Sequence, residues 1–242
     1  MNLFPLTEKF TEALRLAHEW HTGQYRKGAG TPYVSHLLGV ASVSLEFGAA
    51  EDEAIAALLH DALEDGPEYT RRDAADLRRE LRERFGDKVV RLVDGATDAT
   101  PRAGEPKAPW ADRKRRYLLR LAREDASSLL VSASDKLHNV RTILTDVLTV
   151  GDSAQARTAF FTRFNQGPEG TLQYYRLLVD AYRAAPGGQG HPRLQALFAE
   201  LDRTVTALET ACELTADEAR NFHLLRDVGL RSQVPEGEEV RV

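Results

Sequence analysis

Two histidines and two aspartates, far apart along the chain, are the side chains best suited to bind a metal ion. His60 and Asp61 are adjacent and follow a run of alanine, isoleucine and leucine. His36 precedes them, and Asp135 follows within another apolar stretch. Burying imidazole and carboxylate groups among apolar residues costs free energy unless a partner compensates them, and divalent cations use these groups as ligands. The four residues, here called the His–Asp set, predict a metal centre that keeps open positions for water.

Two more carboxylates follow the His-Asp pair within one helical turn. Glu64 is four residues after His60, and Asp65 is four residues after Asp61, so each pair would share a helix face. Taken alone, this stretch fits a solvated helix end with surface acids equally well. The segments that carry the other two ligands favour the metal centre, because they complete an ordered series of His, His-Asp and Asp.

Several polar residues near these motifs have a structural interpretation. Asn139 is four residues after Asp135, so both lie on one helical stripe among apolar residues, where polar side chains need partners. His138 lies off that stripe and is predicted to be structural. Lys136 fits a structural ion pair as well as a functional role, and His21 is predicted to hydrogen-bond the loop backbone.

The elements that must position these residues are predicted to be helices. Apolar residues recur at helical rather than alternating spacing in almost every segment. The segment 53–63 is so apolar that its helix should be buried on most sides, with Asp52 as its N-cap. A proline-rich loop is predicted at 97–109. The predicted helices are 7–20, 33–47, 53–63, 71–84, 88–95, 110–124, 127–149, 151–164, 170–185 and 193–212, followed by a short helix capped at Thr215. The predicted fold class is therefore all-α.

A stretch rich in glycine and proline divides the sequence near its C-terminal end. Residues 186–192 read PGGQGHP, a composition typical of a linker. The predicted organisation is one domain at 1–185, this linker, and a helical extension with a tail at 193–242. The apolar stripe of the helix at 193–212 must be buried against this domain or against a partner subunit, so a homodimer is one predicted outcome.

The composition of the chain argues against several classes of protein and of binding partner. The 242 residues carry a net charge of −5, whereas a general nucleic-acid binder needs clustered Lys and Arg to neutralise phosphates. Cys212 is the only cysteine, so no intrachain disulfide can form. No apolar stretch approaches the roughly 18 residues needed to span a bilayer, and no signal-peptide pattern opens the sequence. These features predict a cytoplasmic protein that binds neither nucleic acid nor membranes.

The motifs resemble those of the HD phosphohydrolase superfamily, and most closely the hydrolase domain of RelA/SpoT-type alarmone enzymes. The order His, His-Asp, Asp is the superfamily signature. The stretches that carry the closer similarity are HTGQYRK at 21–27, PYVSH at 32–36, HDALED at 60–65 and DKLHNVRT at 135–142. The resemblance covers residues 10–185 and does not include the nucleotide-synthetase domain of the long family members. It therefore implies a small, stand-alone alarmone hydrolase.

This resemblance implies a fold, an ion and a reaction. The family fold is an all-α HD-domain bundle around one manganese ion, here with a C-terminal helical appendage. Family members hydrolyse the 3′-pyrophosphate of ppGpp or pppGpp and release pyrophosphate with GDP or GTP. The His–Asp set would hold the ion, and Glu64 and Asp65 would organise and deprotonate the attacking water. The implied substrate contacts are Arg26 and Lys27 on the guanosine side, and Asn139 and Arg141 at the sugar and phosphates.

Two other functions remain open at the level of sequence. The same metal site would serve an HD-type nucleotide phosphatase that acts on deoxynucleotides or on the 2′-phosphate of NADPH. A nucleotide sensor that binds without turnover is the non-enzymatic alternative. Against the sensor, a protein that only binds has no need of the pair Glu64 and Asp65.

Overall fold

The computed structural model describes residues 5–97, 108–151 and 153–225 of the chain. Within these ranges the regular structure consists of twelve α-helices and one short 3₁₀ helix at Pro186–Gly188, with no strand. The α-helices are α1 (Glu8–Trp20), α2 (Val34–Glu46), α3 (Glu51–Leu58), α4 (Gly66–Thr70), α5 (Ala74–Phe85), α6 (Asp87–Ala96), α7 (Trp110–Leu121), α8 (Ala126–Val150), α9 (Ala154–Phe161), α10 (Gly167–Ala184), α11 (Pro192–Ala211) and α12 (Ala216–Asn221). The prediction of an all-α fold is confirmed.

The longest helix, α8, lies at the centre of the fold. Asp125 begins it as an N-cap, because its carboxylate accepts a hydrogen bond from the backbone N–H of Ser128 at 2.8 Å. Helices α2, α3, α6 and α11 all pack against α8. Residues 129–131 of α8 are fully buried. Asp135 follows one turn later, so the helix carries this carboxylate into the interior.

Helix α3 ends at Leu58, before the predicted end at residue 63. The His60 side chain gives the physical reason, since its Nδ1 donates a hydrogen bond to the Ala57 carbonyl at 2.8 Å. A continuing helix would pair that carbonyl with the backbone N–H of Asp61. Residues 59–65 instead form successive turns, so the His-Asp pair lies beyond the helix rather than within its last turn.

The N-terminus of α3 is held by Glu53, and the prediction of Asp52 as its N-cap is wrong. Ala50 occupies the N-cap position, and its backbone N–H donates to the Glu53 carboxylate at 2.7 Å. The same carboxylate accepts from the Ser127 hydroxyl of α8 at 2.6 Å and from the Arg193 guanidinium of α11 at 2.7 and 2.9 Å. Burial raises the pKa of Glu53, but these hydrogen bonds outweigh burial and lower it. One buried carboxylate therefore joins α3, α8 and α11.

Helix α11 packs along α8 and α10 and belongs to the core of the chain. The buried residues of its apolar stripe are Leu194, Leu197, Phe198, Leu201, Val205 and Leu208. On α10, the buried Arg176 donates to Glu209 at 2.8 Å and to Asp202 at 2.6 Å, and these two bonds also join α10 to α11. The stripe is therefore buried without a partner subunit and gives no reason to expect a homodimer. The division of the chain at 186–192 stays a prediction.

Two predicted segments fall outside the described residues. They are most of the loop at 97–109 and the end of the C-terminal tail, from 226 onward. Among the described helices, none has an apolar stretch long enough to traverse a bilayer.

Candidate metal centre

Three segments that are distant in sequence bring the His–Asp set together. His36 lies in the first turn of α2, His60 and Asp61 lie in the turns after α3, and Asp135 lies in α8. His36 Nε2 is 3.3 Å from His60 Nε2 and 3.3 Å from Asp135 Oδ1. The ligand atoms of these three residues all lie within 4.8 Å of one another. Metal–ligand bonds are about 2.0–2.2 Å long, so the cluster is compact enough to share one ion.

Asp61 closes one side of this cluster. Its Oδ2 is 2.9 Å from His60 Nε2 and 3.6 Å from His36 Nε2. The same oxygen accepts a hydrogen bond from the Tyr33 hydroxyl at 2.6 Å. The Asp61 side chain is 20% exposed, whereas each histidine side chain is 1% exposed. The cluster is therefore reached from solvent on the Asp61 side.

The charges in the cluster shift the protonation of its members. Burial lowers the pKa of His60, but the carboxylates of Asp61 and Asp135 outweigh burial and hold that pKa well above its usual range. Burial raises the pKa of both aspartates. For Asp61 the charge of His60 and the hydrogen bonds from His36 and His60 together outweigh burial. For Asp135 the charge of Lys136 and hydrogen bonds from the same two histidines together outweigh it, so both pKa values lie well below their usual range. The carboxylates are therefore ionised and available as ligands, while His60 must lose a proton before it can bind an ion.

Hydrogen bonds at the far nitrogens orient both imidazoles. His60 Nδ1 donates to the Ala57 carbonyl at 2.8 Å, and His36 Nδ1 lies 2.9 Å from Nδ1 of His138. When His36 donates in this second bond, both Nε2 atoms turn their lone pairs toward the cluster. Ligating histidines typically have such partners, which fix the tautomer and the ring orientation.

His138 therefore has a role that the sequence interpretation missed. It contacts His36 directly, and burial lowers the pKa of His138 to about 4, so its ring is neutral and can accept the hydrogen bond. The ring lies against Gly39 of α2, where an added Cβ would be 2.1 Å from His138 Nε2. A signal was present in the sequence, since residues three apart are neighbours on a helix surface and His138 is three after Asp135.

Asp135 is fixed by two neighbours on its own helix. The Asn139 amide donates to Oδ1 at 2.5 Å, and the Lys136 ammonium donates to Oδ2 at 2.6 Å. Lys136 also lies 4.8 Å from the centre of the Tyr117 ring. Asn139 in turn accepts a hydrogen bond from the Arg26 guanidinium at 2.9 Å. The structure thus brings Asn139 to the cluster, with Arg26 directly behind it.

The basic loop between α1 and α2 lies beside the cluster. An antiparallel bridge between Tyr25 and Pro32 closes the loop. Arg26 reaches inward to Asn139, and its guanidinium lies 5.9 Å from the centre of the Tyr33 ring. Lys27 is exposed on the same loop. The structure places both predicted guanosine contacts on one loop, with Arg26 inside and Lys27 outside.

The two acids lie in the turns that follow the His-Asp pair. Asp65 Oδ2 accepts a hydrogen bond from the Gln24 amide at 2.8 Å, and Glu64 is half-buried one residue earlier. Burial raises the pKa of Tyr33, and the charges of Asp61 and Asp65 raise it further, so both carboxylates lie near its hydroxyl. The backbone N–H of Asp65 donates to the Asp61 carbonyl at 2.9 Å, so the half-buried Asp65 lies one turn after the Asp61 ligand.

His21 has a different partner from the predicted one. The sequence predicted that its side chain bonds to loop backbone, but its Nδ1 lies 2.6 Å from the side-chain oxygen of Gln24. Since Gln24 bonds to Asp65, His21 is connected to the acid through one intervening side chain.

The structure does not bring Arg141, another predicted site residue, to the cluster. Its guanidinium donates to Glu200 of α11 at 3.1 Å. The physical reason is helical geometry, since positions 139 and 141 are about 200° apart around a helix. When Asn139 faces the His–Asp set, Arg141 must face away from it.

Similar proteins include two named for reactions of guanosine nucleotides. A GTP pyrophosphokinase of Streptomyces coelicolor is 39% identical over 132 residues, which cover 54% of this chain and 14% of that protein. A guanosine-3′,5′-bis(diphosphate) 3′-pyrophosphohydrolase of Aquifex aeolicus is 38% identical over 138 residues, which cover 56% of this chain and 18% of that protein. The matched stretch is thus less than a fifth of the length of either relative.

A solved structure extends the similarity over most of the chain. It is described as a metazoan ortholog of SpoT that hydrolyses ppGpp and plays a role in starvation responses. The match has a TM-score of 0.55 and 26% identity, and covers 84% of this chain and 97% of that one. Residues 13–164, more than half of the chain, match the family described as HD domain. This chain, in which the His–Asp set converges, therefore belongs to the HD domain family.

Proposed function

We propose that this protein hydrolyses the 3′-pyrophosphate of ppGpp and pppGpp, releasing pyrophosphate with GDP or GTP. The observation that carries the proposal is the convergence of the His–Asp set, in which a hydrogen bond at Nδ1 orients each imidazole. Relatives named for this reaction and a structural neighbour described as hydrolysing ppGpp support the choice of substrate.

We propose Mn²⁺ as the ion at this site. Two imidazole nitrogens and two carboxylate oxygens form a mixed donor set that suits a cation between hard and borderline. The proposed ligands are His36, His60, Asp61 and Asp135. A bound ion would neutralise phosphate charge and acidify water at the site.

Asp65 and Glu64 are the proposed acceptors of the proton from the attacking water. Asp65 accepts a hydrogen bond from Gln24 and lies one turn after the Asp61 ligand, to which its backbone is bonded. The water oxygen forms a bond to the phosphorus attached to the ribose O3′, and the bond between that phosphorus and O3′ breaks. The water proton passes to a carboxylate, and O3′ takes up a proton as the nucleotide leaves.

The proposed substrate contacts are the basic loop and the amide beside it. Arg26 is presented between the Tyr33 ring and Asn139, which suits planar stacking or a phosphate contact. Lys27 is exposed and adds positive charge at the mouth of the site. Arg141 is left out of the proposed contacts, because it pairs with Glu200.

Product analysis tests the proposal and separates it from the alternatives. The protein is incubated with Mn²⁺ and, in parallel, with ppGpp, a deoxynucleoside triphosphate or NADPH, and the products are resolved by chromatography. We expect pyrophosphate and GDP in equal amounts from ppGpp, and no products with the Asp61→Asn variant. Orthophosphate from NADPH or from the deoxynucleotide alone would support the phosphatase instead. Tight binding of ppGpp without products would support the sensor.

A further inference from the structure

Gln24 lies between two side chains that its amide can satisfy in only one orientation. Its Oε1 is 2.6 Å from His21 Nδ1, and its Nε2 donates to Asp65 Oδ2 at 2.8 Å. An ionised carboxylate only accepts hydrogen bonds. The amide nitrogen must therefore face Asp65, and the amide oxygen must face His21. It follows that His21 carries its proton on Nδ1.

His21 is suited to hold that proton in place. Its ring is 3% exposed and stacks on the Tyr33 ring with 5.4 Å between the centroids. Burial lowers the pKa of His21, which keeps the ring neutral near pH 7. A neutral imidazole has one N–H, and the bond to Gln24 decides which nitrogen carries it. The ring thus supplies the N–H that the Gln24 amide oxygen accepts when the amide nitrogen faces Asp65.

Backbone hydrogen bonds also hold Gln24 in place. Its N–H donates to the His21 carbonyl at 3.0 Å, and its carbonyl accepts from the Tyr33 N–H at 2.9 Å. Gly23 between them has φ of +83°, a conformation that glycine adopts without strain and that closes the turn. The backbone of Gln24 therefore cannot follow Asp65 if that side chain rotates.

We propose that Gln24 is a positioning residue for Asp65, which it holds by Oδ2 so that the carboxylate accepts the water proton from one direction. The inference rests on the proposed function of Asp65. A hydrogen bond to an ionised acceptor is roughly twice as strong as one between neutral groups. Tyr33 holds Asp61 in the same way, at 2.6 Å, from the other end of the same loop. One short loop thus sets the acid and the metal ligand relative to each other.

Two substitutions at Gln24 test the inference. Gln24→Glu puts a carboxylate oxygen where the donor was, and Gln24→Met removes the donor without adding charge. Both should lower kcat for pyrophosphate release by up to about 100-fold, the loss that a misplacement of about 1 Å can cause, with KM and bound Mn²⁺ unchanged. Gln195→Glu is the matched control, because its amide donates to the Gly188 carbonyl, away from the His–Asp set. A Gln24 variant that keeps the wild-type kcat would overturn the inference.

The same substitution in a second background shows whether Gln24 acts through Asp65. In the Asp65→Asn protein, Gln24→Glu should cause no further loss, because the group that it positions is gone. An equal loss in both backgrounds would mean that Gln24 acts elsewhere.

Crystal structures of the wild type and of Gln24→Glu give a readout that does not depend on the substrate. The Asp65 carboxylate should be rotated in the variant, and an unchanged carboxylate would overturn the inference. If the wild type releases no pyrophosphate from ppGpp, the proposed function fails, and this comparison still decides the role of Gln24.

Discussion

Gly39 is neither a proposed metal ligand nor a proposed substrate contact, yet its replacement by alanine should weaken metal binding. A Cβ at this position would lie 2.1 Å from His138 Nε2, whereas ordinary contact begins at 3.4 Å. The His138 ring would have to move by about 1.3 Å, the difference between these distances. Such a shift breaks the 2.9 Å bond between His138 and His36, which then loses its orienting partner. Losing a partner of this kind typically costs about 10- to 100-fold in metal affinity or activity.

Calorimetric titration with Mn²⁺ measures the effect of Gly39→Ala, with circular dichroism as a check on helicity. Alanine favours a helix over glycine by roughly 0.5–1 kcal/mol, so an unfolded helix is not the expected cause of a weaker site. Gly30→Ala is the control, because a Cβ there meets nothing within 4 Å. In a His138→Ala background the clash is absent, and Gly39→Ala should cost nothing more. Wild-type Mn²⁺ affinity in the single Gly39→Ala variant would refute the role assigned to His138.

Other substitutions, a truncation and a change of pH test catalysis, substrate contact, stability and proton release one at a time. Glu64→Gln and Asp65→Asn should each retain Mn²⁺ but slow pyrophosphate release by about 10²- to 10⁴-fold; loss of the ion would make that residue a ligand. Arg141→Ala should leave KM for ppGpp unchanged in steady-state assays, because the guanidinium pairs with α11, and a large rise in KM would show that it reaches the substrate. Truncation after Ala185 should lower the melting temperature sharply or cause aggregation, because each large apolar side chain of α11 contributes about 1.5–3 kcal/mol when buried; a truncated chain that melts like the intact protein would contradict this. Mn²⁺ affinity, measured calorimetrically, should rise with pH, because the raised pKa of His60 keeps it protonated at lower pH and the ion displaces that proton; a pH-independent affinity would contradict the pKa shift.

The sequence predicted the helical fold because its apolar spacing is helical almost throughout, and it predicted the members of the His–Asp set because they interrupt apolar stretches. The structure brings these four residues together from three segments. The end of α3 could not be predicted from spacing, since it depends on a bond from the His60 side chain to the Ala57 carbonyl. Helix propensities do not account for a side chain that competes with the backbone for a hydrogen bond.

The contacts around the metal ligands and around Arg141 were the hardest to predict from the sequence. The role of His138 depends on a ring from α8 fitting over Gly39 of α2, a contact between residues about 100 positions apart. The partner of Arg141 depends on α11 folding back along α8. An apolar stripe shows that a helix must be buried, but it does not show whether its own chain or a second subunit buries it.

Titration of metal-free protein with Mn²⁺, with ppGpp hydrolysis followed at each step, tests the central claim most directly. Pyrophosphate release should increase in proportion to bound Mn²⁺ and reach its maximum at one ion per chain, because the described residues place the His–Asp set in one cluster. The Asp61→Ala variant should neither bind the ion nor release pyrophosphate, while its helicity stays at the wild-type level. Full turnover in thoroughly metal-free protein, or normal Mn²⁺ binding and turnover in the Asp61→Ala variant, would contradict the account.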